Sequence, residues 1–372
     1  MRADRYVLRA TLTGAVAAAL VVAGIYFGSR GLRDFDSALV PYAGASVFAM
    51  FGIGYRYSIW LRRPPTRLYW RRGWQFFLAP RRLLHNLLGL GRIVWDNLLA
   101  QKFIERRSRA RWLAHAGIFW GCLLAAAVTF PLSFGWIRFD TPPDSQEVYR
   151  AWIFGVFVGA FRLDGWIAPL AFNVLDIAAV LVIFGVAMAL WRRTSDRGAL
   201  ALQQFANDFL PLLLLFTIAA TGLLLTASTH WLRGFHYGFL AQFHAVSVIF
   251  TLLYLPFGKF FHIFQRPAQL SLSYYRQAGA AGPQAACLRC GVEFASRLHV
   301  DDLKRVEAAL GVQYQMEGGA HYQDLCPACR RKGLALLQGA LWREAGPARS
   351  NDTEGTGTEG NGNTHDQEPG AR

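Results

Sequence analysis

Residues 243–264 read FHAVSVIFTLLYLPFGKFFHIF, and the two histidines in this stretch, His244 and His262, stand eighteen residues apart. At ~100° per residue, eighteen steps make five whole turns of helix, so both rings face the same way. The rise is ~27 Å, close to the ~30 Å hydrocarbon core of a bilayer. Pro256 and Gly258 fall between the two histidines, and a kink there would re-aim His262. Ionisable groups inside a span are costly and usually face a functional interior, so the pair asks for an explanation.

Outward from this stretch, the chain of 372 residues is 53% hydrophobic and 14% aromatic, and its apolar residues come in long uninterrupted runs. Six of these, roughly 8–28, 39–61, 112–137, 167–191, 209–229 and 239–264, are long enough to cross a membrane. A seventh, AWIFGVFVGAF at 151–161, is too short to span and is expected at an interface. The first run follows the basic start MRADRYVLR. It is longer than a signal-peptide core, with no clear small-x-small cleavage site after it, and reads as a retained helix.

The net charge of +15 is concentrated. Thirteen Arg and Lys residues lie between 61 and 111 against only Asp96 and Glu105, and Arg192, Arg193 and Arg197 form a second group. The loop 138–166 balances its charges. Such a bias places both termini and the basic connection on the cytoplasmic side of a bacterial-type inner membrane. Attraction to anionic headgroups accounts for the charge without nucleic acid. The stretch FFLAPRRLLHNLLGLGRIVWDNLLAQKFI carries its apolar residues at helical spacing after Pro80, and is expected to lie along the headgroups or under a partner protein.

The reading is therefore an all-α integral membrane protein, a six-transmembrane-helix bundle with a small cytoplasmic four-cysteine knuckle domain. Its expected parts are an N-terminal transmembrane hairpin (1–61), a basic amphipathic segment (62–111), a four-helix membrane unit (112–265), a metal-binding domain (285–340) and a disordered polar tail (346–372). Within the soluble part, DDLKRVEAAL at 301–310 reads as a helix started by Asp301 and Asp302.

Nine histidines are present. His299, His321 and His365 fall in the soluble tail, His85 in the amphipathic segment, and His230 and His236 beside an outer loop. His115 remains with His244 and His262 inside the spans. His115 lies just inside the cytoplasmic end of the third span and His262 near the cytoplasmic end of the sixth, which runs the opposite way. Their imidazoles reach one depth, the arrangement for bis-histidine ligation of a haem b. Arg109, Arg111, Lys259 and Arg266 sit at a level to meet its propionates, and Gly117 and Gly121 would let a flat macrocycle approach. The bland alternative is that each histidine only fills a helix–helix hydrogen bond.

The segments YLPFGKFFHIF and HAGIFWG resemble the last and first haem-bearing helices of the nitrate reductase gamma-subunit-like membrane cytochromes b. LDIAAVLVIFGVAMALWRR and TIAATGLLL are similar to the intervening spans. The nearest flavour is the branch holding membrane subunits of heterodisulfide reductases and dissimilatory sulfite reductase complexes, and the likeness covers about 85–270. It implies a quinone-linked haem b subunit, exchanging electrons with cytoplasmic iron–sulfur or reductase subunits, with His115, His244 and His262 as ligands. The family's second histidine, ten residues after the first, is Ala125 here, so His244 lacks its expected partner. Three outcomes stay open: His230 or His236 completes a second site, another group serves, or there is one haem and His244 lies near quinone or is simply buried.

Asp176 sits mid-span in the fourth run near Asn173, and is either a proton acceptor for quinol oxidation or bonded to a neighbouring helix. Cys287-Leu-Arg-Cys290-Gly and Cys326-Pro-Ala-Cys329 each supply two thiolates from a tight knuckle. Together they suit tetrahedral zinc, with rubredoxin-like iron the alternative. Cys122 is a small buried apolar residue. No nucleotide loop or iron–sulfur cysteine run occurs, so the expected role is electron transfer between quinone and a cytoplasmic partner, with quinol oxidation favoured and terminal chemistry on another chain. The rivals are a haem-free transporter and a zinc-knuckle membrane anchor for a cytoplasmic enzyme.

Overall fold

The computed structural model describes residues 2–143, 145, 147–195, 203–316 and 318–345. It resolves into two compact units, 1–282 and 283–372. Among the described residues six helices are long and apolar enough to cross a membrane: Arg5–Gly28, Ser37–Trp60, Arg109–Ser133, Ile167–Ser195, Phe205–His230 and Tyr237–Tyr254. The chain is a multi-pass membrane protein of the helical-bundle class. The expected tail, 346–372, lies outside the described residues.

The first unit opens with α1 (Arg2–Gly28) and α2 (Val40–Trp60), which pack as a hairpin. Small residues allow the close approach: a Cβ on Gly14 would stand 2.7 Å from the Phe51 carbonyl oxygen. The basic connection folds as α3 (Pro64–Phe77), α4 (Leu83–Val94), a π-turn at Trp95–Leu99 and α5 (Lys102–Glu105). Leu84, Leu88 and Trp95 are exposed along it, as an amphipathic segment requires. Then come α6 (Arg109–Ser133), α7 (Ile167–Ser195), α8 (Leu210–His230) and α9 (Tyr237–Tyr254), each packed on the next, with α9 also against α2. That last contact joins the N-terminal hairpin to the four-helix unit.

The expected sixth helix through residue 264 is not continuous. α9 ends at Tyr254, a short 3-10 turn occupies Lys259–Phe261, and α10 runs His262–Ala268. Pro256 has no N–H to give the Leu252 carbonyl, and Gly258 turns extended (φ −86, ψ −162), so the helix stops and the carbonyls of residues 256–258 fall outside a regular ladder. Arg56 of α2 answers them, donating from Nη1 to the carbonyls of Pro256 (2.5 Å), Phe257 (2.8 Å) and Gly258 (3.3 Å), with its guanidinium 4.4 Å from the Phe261 ring centre. The whole-turn argument for His244 and His262 fails here, because the two lie on different helices.

Two small antiparallel sheets add to the helical class. The first, β1 (Ile137–Asp140), β2 (Val148–Ile153) and β3 (Val156–Arg162), includes the short apolar run that was expected as an interfacial segment. Phe154 and Gly155 both take positive φ, the two-residue turn that a right-twisted hairpin prefers. Asp140 faces Arg150 across β1 and β2 and accepts from its Nε at 2.7 Å.

The first unit also extends past residue 265, the expected end of its membrane part. α11 (Leu270–Ala280) packs on α3 and α4, with Tyr274 and Tyr275 buried and the Tyr274 hydroxyl donating to the Asn86 carbonyl at 3.0 Å. Asn86 in turn donates to the carbonyls of Phe76 and Phe77 at the end of α3.

In the second unit β4 (Gln284–Ala286) pairs with β5 (Glu293–Ser296), followed by α12 (Arg297–Ala309) and α13 (Pro327–Ala345). α12 begins four residues before the expected start, because the Ser296 hydroxyl accepts from the His299 N–H and caps it. Asp302, expected as a start signal, is instead fully buried and meets Arg305.

Candidate functional site

Two groups of expected site residues come together. In the first unit, the ring centres of His115 on α6 and His262 at the head of α10 lie 6.3 Å apart with planes at 65°. Each ring is held through Nδ1. His115 Nδ1 lies 2.7 Å from the Gln101 amide oxygen, and His262 Nδ1 lies 2.6 Å from the Lys259 carbonyl oxygen. Both partners can only accept, so Nδ1 carries the proton and Nε2 keeps its lone pair in both rings. A metal–nitrogen bond of about 2.0 Å and a ring radius of about 1.1 Å would set two axial imidazole centres about 6.2 Å apart. The observed 6.3 Å between ring centres is close to that separation.

Of the residues around the pair, Lys259 and Arg266 were named from the sequence, whereas Gln101 and Asp208 were not. Gln101 is buried, 3% exposed, in the left-handed conformation (φ 52, ψ 39) between the π-turn and α5. That backbone costs about 1–2 kcal/mol for a residue with a Cβ. Lys259 is anchored by Asp208, whose carboxylate takes Nζ at 2.6 Å, while Arg193 donates to the Asp208 carbonyl. Arg266 lays its guanidinium 4.7 Å over the Phe103 ring. Of the four expected propionate partners, Arg109 and Arg111 are exposed and Lys259 is committed to Asp208.

Gly117 and Gly121 do a different job from the one expected. A Cβ at Gly121 would stand 2.6 Å from the Ala178 carbonyl oxygen and one at Gly117 3.0 Å from that of Leu181. Gly185 of α7 meets the Ala114 carbonyl in return. These glycines serve the α6–α7 crossing, as small residues four apart do in membranes, and are not a cradle for a macrocycle.

His244 on α9 hydrogen-bonds Thr221 of α8 through Nδ1 at 2.9 Å, while the Thr221 hydroxyl donates to the Thr217 carbonyl. His230 and His236 are exposed at the loop between these helices, and among the described residues no second imidazole meets His244. Asp176 accepts from the Thr226 hydroxyl at 2.7 Å, which joins α7 to α8. Cys122 packs against the cluster of Val182, Val186, Leu212 and Ala219.

In the second unit the sulfurs of Cys287, Cys290, Cys326 and Cys329 all lie within 4.8 Å of one another. The first pair sits on the tip between β4 and β5, where Gly291 (φ 71) makes the turn and its N–H returns to the Cys287 carbonyl. The second pair opens α13. Its N–H groups hold the thiolates: Cys326 N–H donates to Cys287 Sγ at 3.2 Å and Cys329 N–H to Cys326 Sγ at 3.4 Å. The Cys326 N–H is the main reason the Cys287 thiol is drawn down to about 6, whereas its bond with Cys326 pushes Cys329 up to about 12. A tetrahedral ion with bonds of about 2.3 Å needs sulfurs about 3.8 Å apart. Cys290 and Cys326 stand at 3.7 Å. The cluster could bind a metal such as zinc. The chain between Cys290 and Cys326, 36 positions apart, is a folded excursion, tied back by Lys304 on Asp324 (2.7 Å) and by the Leu288 N–H on the Asp324 carbonyl.

No family model matches the chain, and no solved structure matches it. It is similar to Citrate utilization protein B of Escherichia coli, 31% identical over 140 residues. That stretch is 34% of this chain and 36% of the relative, so the chain spans about a third of the relative's length.

Proposed function

We propose that the chain is a haem b membrane subunit that moves electrons between quinol in the bilayer and a redox partner on the cytoplasmic side. One observation carries this reading: His115, near the start of the third candidate span, and His262, just past the sixth, hold their ring centres 6.3 Å apart, each with Nδ1 tied to an acceptor. Haem b, when held there, supplies one-electron storage between a two-electron donor and its acceptor. His115 and His262 would hold it, and Arg266 is the cation best placed in sequence and burial to meet a propionate.

The remaining parts belong to this chain's own residues. A quinol gives up two protons with its two electrons, and Asp176, already an acceptor for Thr226, is the proposed base for one of them. The exposed Arg81, Arg82 and Arg92 offer a basic face to an iron–sulfur or reductase subunit. The four cysteines, loaded with zinc, would stiffen the second unit for docking. Cytoplasmic termini and a bacterial-type inner membrane follow from the charge bias.

The test is a dithionite-reduced spectrum of the purified chain. A b-type signal is expected in the wild type and absent in both His115→Ala and His262→Ala. Colourless protein, with solute flux in vesicles, would instead identify a transporter. A partner enzyme whose activity survives both substitutions would identify an anchor. Because among the described residues no second imidazole meets His244, one haem per chain is expected, and His244→Ala should leave that ratio unchanged.

A further inference from the structure

We infer that Gln101 is the positioning residue for His115: its amide oxygen sets which imidazole nitrogen is free and how strongly that nitrogen donates. The inference rests on the haem reading above and adds to it a residue outside the spans. The contact is short, 2.7 Å from Oε1 to Nδ1, and an amide oxygen accepts only, so the proton is placed on Nδ1. Gln101 is buried at 3% exposure, which shields the acceptor oxygen from water.

The local fold is organised to present this side chain. Gln101 occupies a left-handed backbone position usually taken by Gly or Asn. Strain of this kind persists where the surroundings over-determine it. They do so here: the Trp112 indole N–H donates to the Ala100 carbonyl at 2.8 Å, Lys102 meets Asp96 at 2.6 Å, and the Ile104 N–H takes the Gln101 carbonyl at 2.8 Å. The turn thus bonds to α6 one helical turn from His115, through Trp112, and again at His115 itself. His262 has no equivalent side chain, since its Nδ1 is served by a backbone carbonyl. The two rings therefore differ in what can tune them: an acceptor behind an imidazole raises its basicity, and only the one behind His115 is a side chain open to substitution.

The experiment compares wild type, Gln101→Leu and Gln101→Glu, each purified as the full chain in detergent. Haem per chain and midpoint potential are read by spectroelectrochemistry. Gln101→Leu removes the acceptor, so haem affinity should fall about 10–100-fold and the potential should move up. Gln101→Glu offers a stronger acceptor at the same reach, so haem should be retained and the potential should move down. A simple structural role would not give opposite signs. Identical potentials in all three, or a shift of one sign in both variants, overturns the inference. Should Gln101→Leu fail to fold, Gln101→Glu decides: a downward shift supports the role, and no shift overturns it. A wild type without a b-type spectrum sinks the haem reading and this inference with it. A coloured wild type that loses its signal in His115→Ala, yet ignores Gln101, sinks this inference alone.

Discussion

Arg56 and His262 show how a single side chain's role depends on a break elsewhere. The break at Pro256 and Gly258 leaves carbonyls outside the helix ladder in an apolar region, and Arg56 of α2 is the group that pairs them. Without it those oxygens would be left unpaired where water is scarce. Arg56→Leu should destabilise the first unit by about 2–4 kcal/mol, read as a lower thermal midpoint in detergent. Arg56→Lys should restore part of the loss, since an ammonium reaches fewer of the three carbonyls. Asp176→Asn keeps an oxygen for the Thr226 hydroxyl, so stability should hold within about 1 kcal/mol. Quinol oxidation should nevertheless slow in that variant, and an unchanged rate would remove Asp176 from the proposed proton path.

Among elements, the α6–α7 pair is governed by glycine. Gly117, Gly121 and Gly185 let two backbones meet where a Cβ would lie within about 3 Å of the opposite chain. Gly121→Leu should therefore force the helices apart and cost about 2–4 kcal/mol, visible as a lower unfolding temperature. Haem retention should fall with it, because α6 carries His115. These glycines looked like room for a flat cofactor because sequence shows smallness but not which neighbour exploits it. The sheet of β1, β2 and β3 was hidden for a related reason. AWIFGVFVGAF at 151–161 reads as an apolar run, yet its β-branched and aromatic residues flank a Phe-Gly turn, which is a strand signal.

As a whole molecule the chain is two units with separate cores, and their dependence on metal should separate too. Cys326→Ser removes one of four sulfurs and with it the acceptor of the Cys329 N–H. It should abolish stoichiometric zinc in the purified protein and speed proteolysis between 283 and 345. The b-type spectrum of the first unit should stay as in the wild type. Iron in place of zinc would announce itself by colour in that same preparation, lost in the same variant.

Six spans, the clustered positive charge and the paired cysteine knuckles were legible without coordinates, since length, hydropathy and close spacing are properties of the chain read locally. The meeting of His115 with His262 was anticipated from matched depth, although the whole-turn spacing of His244 and His262 misled once α9 stopped at Tyr254. Gln101, Arg56, Asp208 and Thr221 could not be found this way. Each acts across a long loop or between helices, on a partner chosen by packing, and a hydrogen bond between distant residues leaves no periodic trace in the order of amino acids.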